Sequence, residues 1–223
     1  MDVLLNPAYA ALTGPHAGFA QVRGEVRVYP LDVAPFLGLP DEPSEQDWAD
    51  AAALIGPGRV VAIKHPDLVV PGSFKVDLTI DLVQFVAPAG LGAEDAELVA
   101  LGPDDVPEML SLVALTDPGP FRARTIELGS YLGLRQDGVL IAMAGERYQI
   151  PGYTEISAVC THPDHRGRGL ATRLIRAVAA GIEQRGDRPF LHTGTANLPA
   201  IRVYEHLGFT LSNRTKVTVL QIV

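Results

Sequence analysis

Apolar and polar positions change period several times along this chain. Glu155 to Thr161 alternates, with Ile156, Val159 and Thr161 as β-favouring members, and predicts a strand. His162-Pro163-Asp164 breaks it, because proline has no N–H to give a ladder. From Gly169 the period lengthens. Leu170, Leu174, Ile175 and Val178 recur at helical spacing, the helix runs to about Arg185, and Gly186 stops it. The same reading predicts strands over 98–101, 189–195 and 216–223. It predicts helices after Pro103, with Val106, Met109, Leu110 and Val113 inward, and over 199–207. Strands over 130–135 and 139–147 join at Gln136-Asp137-Gly138, where Asp-Gly signals a hairpin. Phe121 to Glu127 fits a second helix or a mobile loop.

The first 93 residues read as a small α+β unit. A short helix is expected over 4–12, a strand over 25–29 and a proline-rich loop over 30–43. A helix capped by Ser44 or Asp47 follows, with Trp48, Ala51 and Leu54 inward. Strands are expected over 59–64 and 74–86. In the second, Val76, Leu78, Ile80 and Leu82 share one face, opposite Lys75, Asp77, Thr79 and Asp81. Ala87 to Gly92 reads as a linker. The expected organisation is an N-terminal α+β extension over 1–93, there to brace its neighbour or help bind a substrate, and a second unit over 94–223.

Composition narrows the classes. With 47% apolar and 20% charged residues, the 223-residue chain can bury a core without staples. One cysteine, Cys160, excludes an intrachain disulfide and any cysteine-cluster metal site, and fits a reducing, cytoplasmic location. No apolar run reaches the ~20 residues of a membrane span, and no basic segment leads into an apolar one at the N-terminus. A net charge of −8 argues against nucleic acid and weakly favours a cationic partner such as an amine.

The chemistry concentrates where the 155–161 strand turns into the next helix. Arg166-Gly167-Arg168-Gly169 is glycine-rich and opens a helix. Such a turn leaves backbone N–H groups unpaired at the positive end of the helix dipole, a place suited to phosphate or pyrophosphate. Arg166 and Arg168 can add charge-assisted hydrogen bonds. No Gly-Lys-Ser/Thr follows, and no glycine directly follows the strand, so neither the P-loop nor the dinucleotide fingerprint applies.

Arg166-x-x-Gly169-x-Ala171 after a strand and turn resembles the acyl-CoA site of the GNAT superfamily of N-acetyltransferases. A second block, Asn197-x-x-Ala200-x-x-x-Tyr204-x-x-x-Gly208-Phe209, resembles that family's C-terminal element. The resemblance covers roughly Glu94 to Val223. Within the superfamily, E-I-S-A-V-C-T-H-P and L-H-T-G-T-A-N look most like the branch related to glycine N-acyltransferase C-terminal domains. The implied fold is α/β: a mixed sheet with helices on both faces, preceded here by the extension. The implied reaction is acyl transfer, most simply acetyl, from acetyl-CoA as co-substrate to a primary amine, with no metal. The implied acceptor is a small amine or amino acid, and sheet edges in this fold often pair into homodimers.

By the same resemblance, Gly167, Arg168, Gly169, Leu170, Ala171 and Thr172, with Arg166, would hold the diphosphate. Val159 and Thr161 would pair with the pantetheine arm, and the amide of Val159 or Cys160 would face the thioester oxygen. Asn197 would bond the arm or the acceptor, and Tyr204 would protonate the leaving thiolate. Glu155 matches a position where some relatives hold a base; as a bare sequence feature it reads equally well as a salt-bridged strand-end carboxylate. His192 is the other candidate base, since an unperturbed imidazole titrates near neutral pH. Phe121, Arg122 and Arg124 fall where relatives line the acceptor pocket. His162 and His165 read as exposed bystanders and Cys160 as a small core residue. An alternative with the same ligand is a non-catalytic acyl-CoA-binding sensor or scaffold, which would bind the coenzyme without needing Tyr204.

Overall fold

The computed structural model describes residues 3–65 and 68–222. Its elements in chain order are α1 (Pro7–Thr13), β1 (Gln21–Arg23), β2 (Val26–Val28), β3 (Leu37–Gly38), α2 (Glu45–Ile55), β4 (Val60–Lys64) and β5 (Phe74–Val86). Then follow β6 (Val99–Ala100), α3 (Val106–Thr116), β7 (Tyr131–Gln136), β8 (Val139–Ile150), β9 (Tyr153–Thr161), α4 (Leu170–Gln184), β10 (Arg188–Gly194), α5 (Leu198–His206) and β11 (Thr210–Ile222).

Eight strands form one mixed sheet in the order β4-β11-β5-β10-β9-β8-β7-β6, and only β9 and β10 run parallel. Helices cover both faces. On one, α4 and α5 bury Leu174, Ile175, Val178, Ile182 and Tyr204 against Phe85, Ala142, Ala144, Ile156 and Leu191. On the other, α1 packs Ala8, Ala11 and Leu12 against Tyr148, Ile150 and Phe190. There, too, α3 packs Met109 and Leu112 against Met143 and Cys160. The small sheet β1-β2-β3 and α2 close a further cluster on Val61, Ile63, Phe74 and Leu220. No helix among the described residues is long and apolar enough to cross a membrane.

Residue 93 falls between strands of a continuous sheet. β5 lies between β11 and β10, so strands from the first 93 residues complete the sheet carried by the rest. Local signals placed several elements well. Ser44 caps α2 with Asp47 in a reciprocal capping box. Asp137 (φ 51°) and Gly138 (φ 83°) both adopt the left-handed conformation that a two-residue hairpin turn needs. Of the two readings of Phe121–Glu127 the loop is the one found, and one strand bound moves. Phe121–Glu127 is a loop that ends in a 3-10 turn over Thr125–Leu128, because Pro118 and Pro120 keep the preceding chain extended. β11 starts at Thr210 rather than 216: its polar first half carries no apolar alternation but pairs with β5. Val76, Leu78 and Ile80 share a face as expected but are 45%, 51% and 40% exposed.

Candidate active site

The site begins where the sheet opens. β9 and β10 pair only from Tyr153–Glu155 to Arg188–Phe190, although β9 continues to Thr161 and β10 to Gly194. Beyond Glu155 the β9 edge that faced β10 therefore has no strand partner. A bulge accompanies the split. Gly145 pairs with Ser157 and Met143 with Cys160, so Ala158 and Val159 oppose one residue of β8. Ala158 takes φ 52°, a left-handed conformation that costs an alanine about 1–2 kcal/mol. That bulge sets Ser157, Ala158, Val159, Cys160 and Thr161 along the wall of a cavity of about 1240 Å³.

The β9–α4 turn closes one end. Gly167 (φ 74°) and Gly169 (φ 73°) are both left-handed, and a Cβ on either would meet nothing within 4 Å. The first helical hydrogen bond is Arg173 N–H to the Gly169 carbonyl, and Gly169 offers no side-chain cap. Among the described residues, the N–H groups from Gly167 to Thr172 accordingly donate to no carbonyl. Arg166 Nε donates to the Thr161 carbonyl at 3.4 Å and lines the cavity. Arg168 turns aside, toward Gln136 Oε1 (3.1 Å) and His165 Nδ1 (2.8 Å). Neither arginine pairs with a carboxylate among the described residues, so both leave positive charge at the turn. Arg173, next along α4, is neutralised by Asp95 and Glu97.

At the other end of the opening stands α5. Asn197 caps it by accepting from Ala200 N–H at 3.3 Å, and it also lines the cavity. Tyr204 packs between Phe85 and Phe209, reaches the cavity, and has its pKa pushed up to about 12 by burial. Cys160 is buried, and burial raises its thiol to about 11, so it serves as packing and not as a nucleophile.

The two expected bases stand differently. Glu155 is wholly buried and gripped by Arg147 through both oxygens, Nε to Oε2 at 2.7 Å and Nη2 to Oε1 at 2.8 Å. Burial alone would raise its pKa, but the Arg147 charge, with Lys64 and these hydrogen bonds, holds it well below the usual carboxylate range. It is a salt-bridged anion, too weak a base to deprotonate an ammonium. His192 also lines the cavity, yet burial and the Lys64 charge lower it to about 4, and each ring nitrogen has a neighbour: Glu155 at Nδ1 (2.6 Å), Gln84 at Nε2 (2.9 Å).

Around the acceptor end, Phe121 and Arg122 line the cavity. Arg124 does not: Glu127 and Asp32 tie it to the surface, because the loop turns between 122 and 125. The residues that sequence reading missed come mostly from the N-terminal half. Phe36, Ala62, Lys64, Ile80 and Leu82 form cavity wall, with Arg147 and with Val217 and Val219 of β11. Lys64 was the hardest to foresee, since a lone lysine closing V-V-A-I-K reads as a solvated strand end. Its one signal is the unbroken apolar run before it, which marks a strand buried on both faces.

A solved GNAT-family protein from Novosphingobium aromaticivorans is 36% identical to this chain, matches all of both chains and superposes with a TM-score of 0.92. The chain belongs to the GNAT family. A family model described as FR47-like protein matches residues 131–218, the stretch that holds the split strands, the turn and α5. A mycothiol acetyltransferase of Thermobispora bispora is 42% identical over 57 residues, which is 25% of this chain and 19% of that protein. The chain thus matches only about a fifth of the length of such curated relatives. A GCN5-related N-acetyltransferase from Kribbella flavida shares the GNAT fold across 96% of this chain at 17% identity, with a TM-score of 0.61.

GNAT acetyltransferases use acetyl-CoA as co-substrate, and the turn fits its diphosphate: N–H groups without carbonyl partners, arginines without carboxylate partners among the described residues, and open room around a Cβ at Gly167 and Gly169. Gly169→Val should weaken acetyl-CoA binding at least tenfold by calorimetry, since a branched side chain would fill that space and strain φ 73°. Gly186→Val, at the other end of α4 with φ 88° and equally open surroundings, should lower stability and leave the affinity alone. Equal losses of affinity in both variants would show that the turn is not the binding point.

Proposed function

We propose that this protein moves an acetyl group from acetyl-CoA to the primary amine of a small acceptor by direct attack. The observation that carries the reading is the continuity of one cavity from the free N–H groups at Gly167–Thr172, along the unpaired edge of β9, to the Tyr204 phenol. The turn would hold the diphosphate, with Asn197 close to the arm. Val159 and Thr161 would offer the arm main-chain hydrogen bonds of the kind an added strand makes. An amide at the bulge, that of Val159 or Cys160, would stabilise the thioester oxygen as charge grows on it, an effect worth about 2.7–4 kcal/mol. Tyr204 would donate to the departing sulfur. The same properties are consistent with a cytoplasmic protein that works on a diffusible amine.

The acceptor wall supports an amine with an apolar body. Phe36, Ala62, Ile80, Leu82, Val217 and Val219 surround that end of the cavity, and the exposed Val76 and Leu78 extend the strip outward along β5. Arg122 and Asp117 stand at the rim, where a polar group on the acceptor, such as an amino-acid carboxylate, would meet charge. The likeness of the β9 and β10 motifs to the glycine N-acyltransferase-related branch agrees with such an acceptor.

Free thiol released from acetyl-CoA in the presence of straight-chain primary amines tests both points. The ratio kcat/KM should rise about fourfold per added methylene while the chain still meets the wall, given about 0.8 kcal/mol per buried CH₂. A flat series would remove the apolar-acceptor reading. Coenzyme binding with no thiol release for any amine or amino acid would favour a sensor instead.

A further inference from the structure

We infer that Lys64, contributed by β4 of the N-terminal half, is the base that takes the proton from the acceptor ammonium. This rests on the acetyl-transfer reading above.

Hydrogen-bond roles around Lys64 follow from one backbone carbonyl. Gln84 Nε2 lies 2.7 Å from the Leu4 carbonyl, which accepts only from an N–H, so the amide orientation is set. The second N–H on Nε2 then faces His192 Nε2 at 2.9 Å, which must accept. The proton of neutral His192 is therefore on Nδ1 and is donated to Glu155 Oε1 at 2.6 Å. Arg147 holds the same carboxylate through both oxygens. Neither Glu155 nor His192 has a free basic site to offer a substrate.

Lys64 differs. Its side chain is 2% exposed, yet it lines the cavity. Nζ lies 3.0 Å from His192 Nδ1 and 3.8 Å from Glu155 Oε1, and stands 4.9 Å over the Tyr148 ring. An ammonium there would gain the Tyr148 π face and the Glu155 charge at 3.8 Å, but its three donors would meet a His192 N–H already committed and a carboxylate that Arg147 already holds through both oxygens. It would also be a second buried cation, since Arg147 already balances Glu155. The free amine avoids both costs and keeps a lone pair. Among the described residues, the groups that face it are Gln84 (β5), Arg147 and Tyr148 (β8), Glu155 (β9) and His192 (β10), and none of these supplies an uncommitted negative charge. Burial agrees in direction, drawing Lys64 down to about 7.

The proton balance is simple. The acceptor ammonium gives one proton to Lys64 Nζ, and its freed lone pair attacks the thioester carbonyl. The C–N bond forms, the C–S bond breaks, the second amine proton finishes on sulfur, and Lys64 releases its proton to water.

Trace labelling with acetic anhydride across pH 5–11, read by peptide mass spectrometry, tests the protonation state without any acceptor. Lys64 should be half-reactive near pH 7. A midpoint above pH 9, or no reaction at any pH, would overturn the inference. Lys64→Arg and Lys64→Met should each lower kcat about 100-fold at pH 7 with the best alkylamine and remove the rate limb near pH 7, while acetyl-CoA affinity stays unchanged. The methionine variant covers the case in which arginine does not fit. A variant that keeps kcat and raises KM would make Lys64 an acceptor clamp and overturn the base role. Wild-type protein that releases no thiol with any amine would instead fail the acetyl-transfer reading, whatever the labelling reports.

Discussion

Glu155→Ala is expected to cost about 3–5 kcal/mol of folding stability, the scale for breaking one side of a buried ion pair. The loss comes from what stays behind. Arg147 would keep its charge in a site shared with Lys64, with no carboxylate to receive its two N–H donors, and His192 Nδ1 would lose its acceptor. Urea unfolding at pH 7 should show a lower midpoint at an unchanged slope. The sign with pH follows from the shifts. Glu155 has a folded pKa below its unfolded one, so its contribution is complete above about pH 4.3 and vanishes only as pH falls through the lower folded value. His192, lowered to about 4, acts in the same direction: between about pH 6.5 and 4 the unfolded chain takes up a proton that the folded chain refuses. Wild-type stability should therefore fall steadily below pH 6.5. The gap to Glu155→Ala should persist at pH 4.5 and close only in stronger acid. Midpoints within error of one another at pH 7 would mean that the cluster does not hold the sheet together.

That cluster also draws on the chain's first 93 residues. Lys64 on β4, Gln84 on β5 and the Leu4 carbonyl meet Arg147, Glu155 and His192 from three strands of the second half, all behind one cavity wall. Local patterns could not reveal this. Capping at Ser44, the Asp137-Gly138 turn and the Gly169 helix start are decided by neighbours a few residues apart, and all were legible in the sequence. Insertion of β5 between β10 and β11 joins residues more than 100 positions apart, and short strands such as β3 and β6 are too brief to show a period. The bulge at Ala158 left no mark either, because alanine is a poor choice for φ 52° and so gives no turn signal. Arg124 and Arg122 were indistinguishable until the loop showed which one meets acids. The phosphate turn could be read from its residues; the proton chemistry depends on long-range burial and could not.

Tyr204→Phe should reduce kcat by about 100-fold or more, the range for removing a positioned proton donor, with acetyl-CoA affinity and folding stability nearly unchanged. Stability is spared because the ring packing against Phe85 and Phe209 survives, and the phenol makes no hydrogen bond among the described residues. The chemical loss follows from where charge develops. With its pKa pushed up to about 12, the phenol stays protonated through the working pH range. Complete transfer to a thiolate of pKa about 8.5 is uphill, at about 1.36 kcal/mol per pH unit. Its donation to sulfur therefore matters most while negative charge is accumulating there, which is the condition for lowering a barrier rather than tightening binding. The pH profile separates this role from that of Lys64. Tyr204 should impose no falling limb below about pH 10, so the limb near pH 7 should survive in Tyr204→Phe and disappear in Lys64→Arg. An unchanged kcat in the phenylalanine variant, measured where chemistry limits turnover in a single-turnover burst, would remove Tyr204 from the reaction and leave sulfur to be protonated by water.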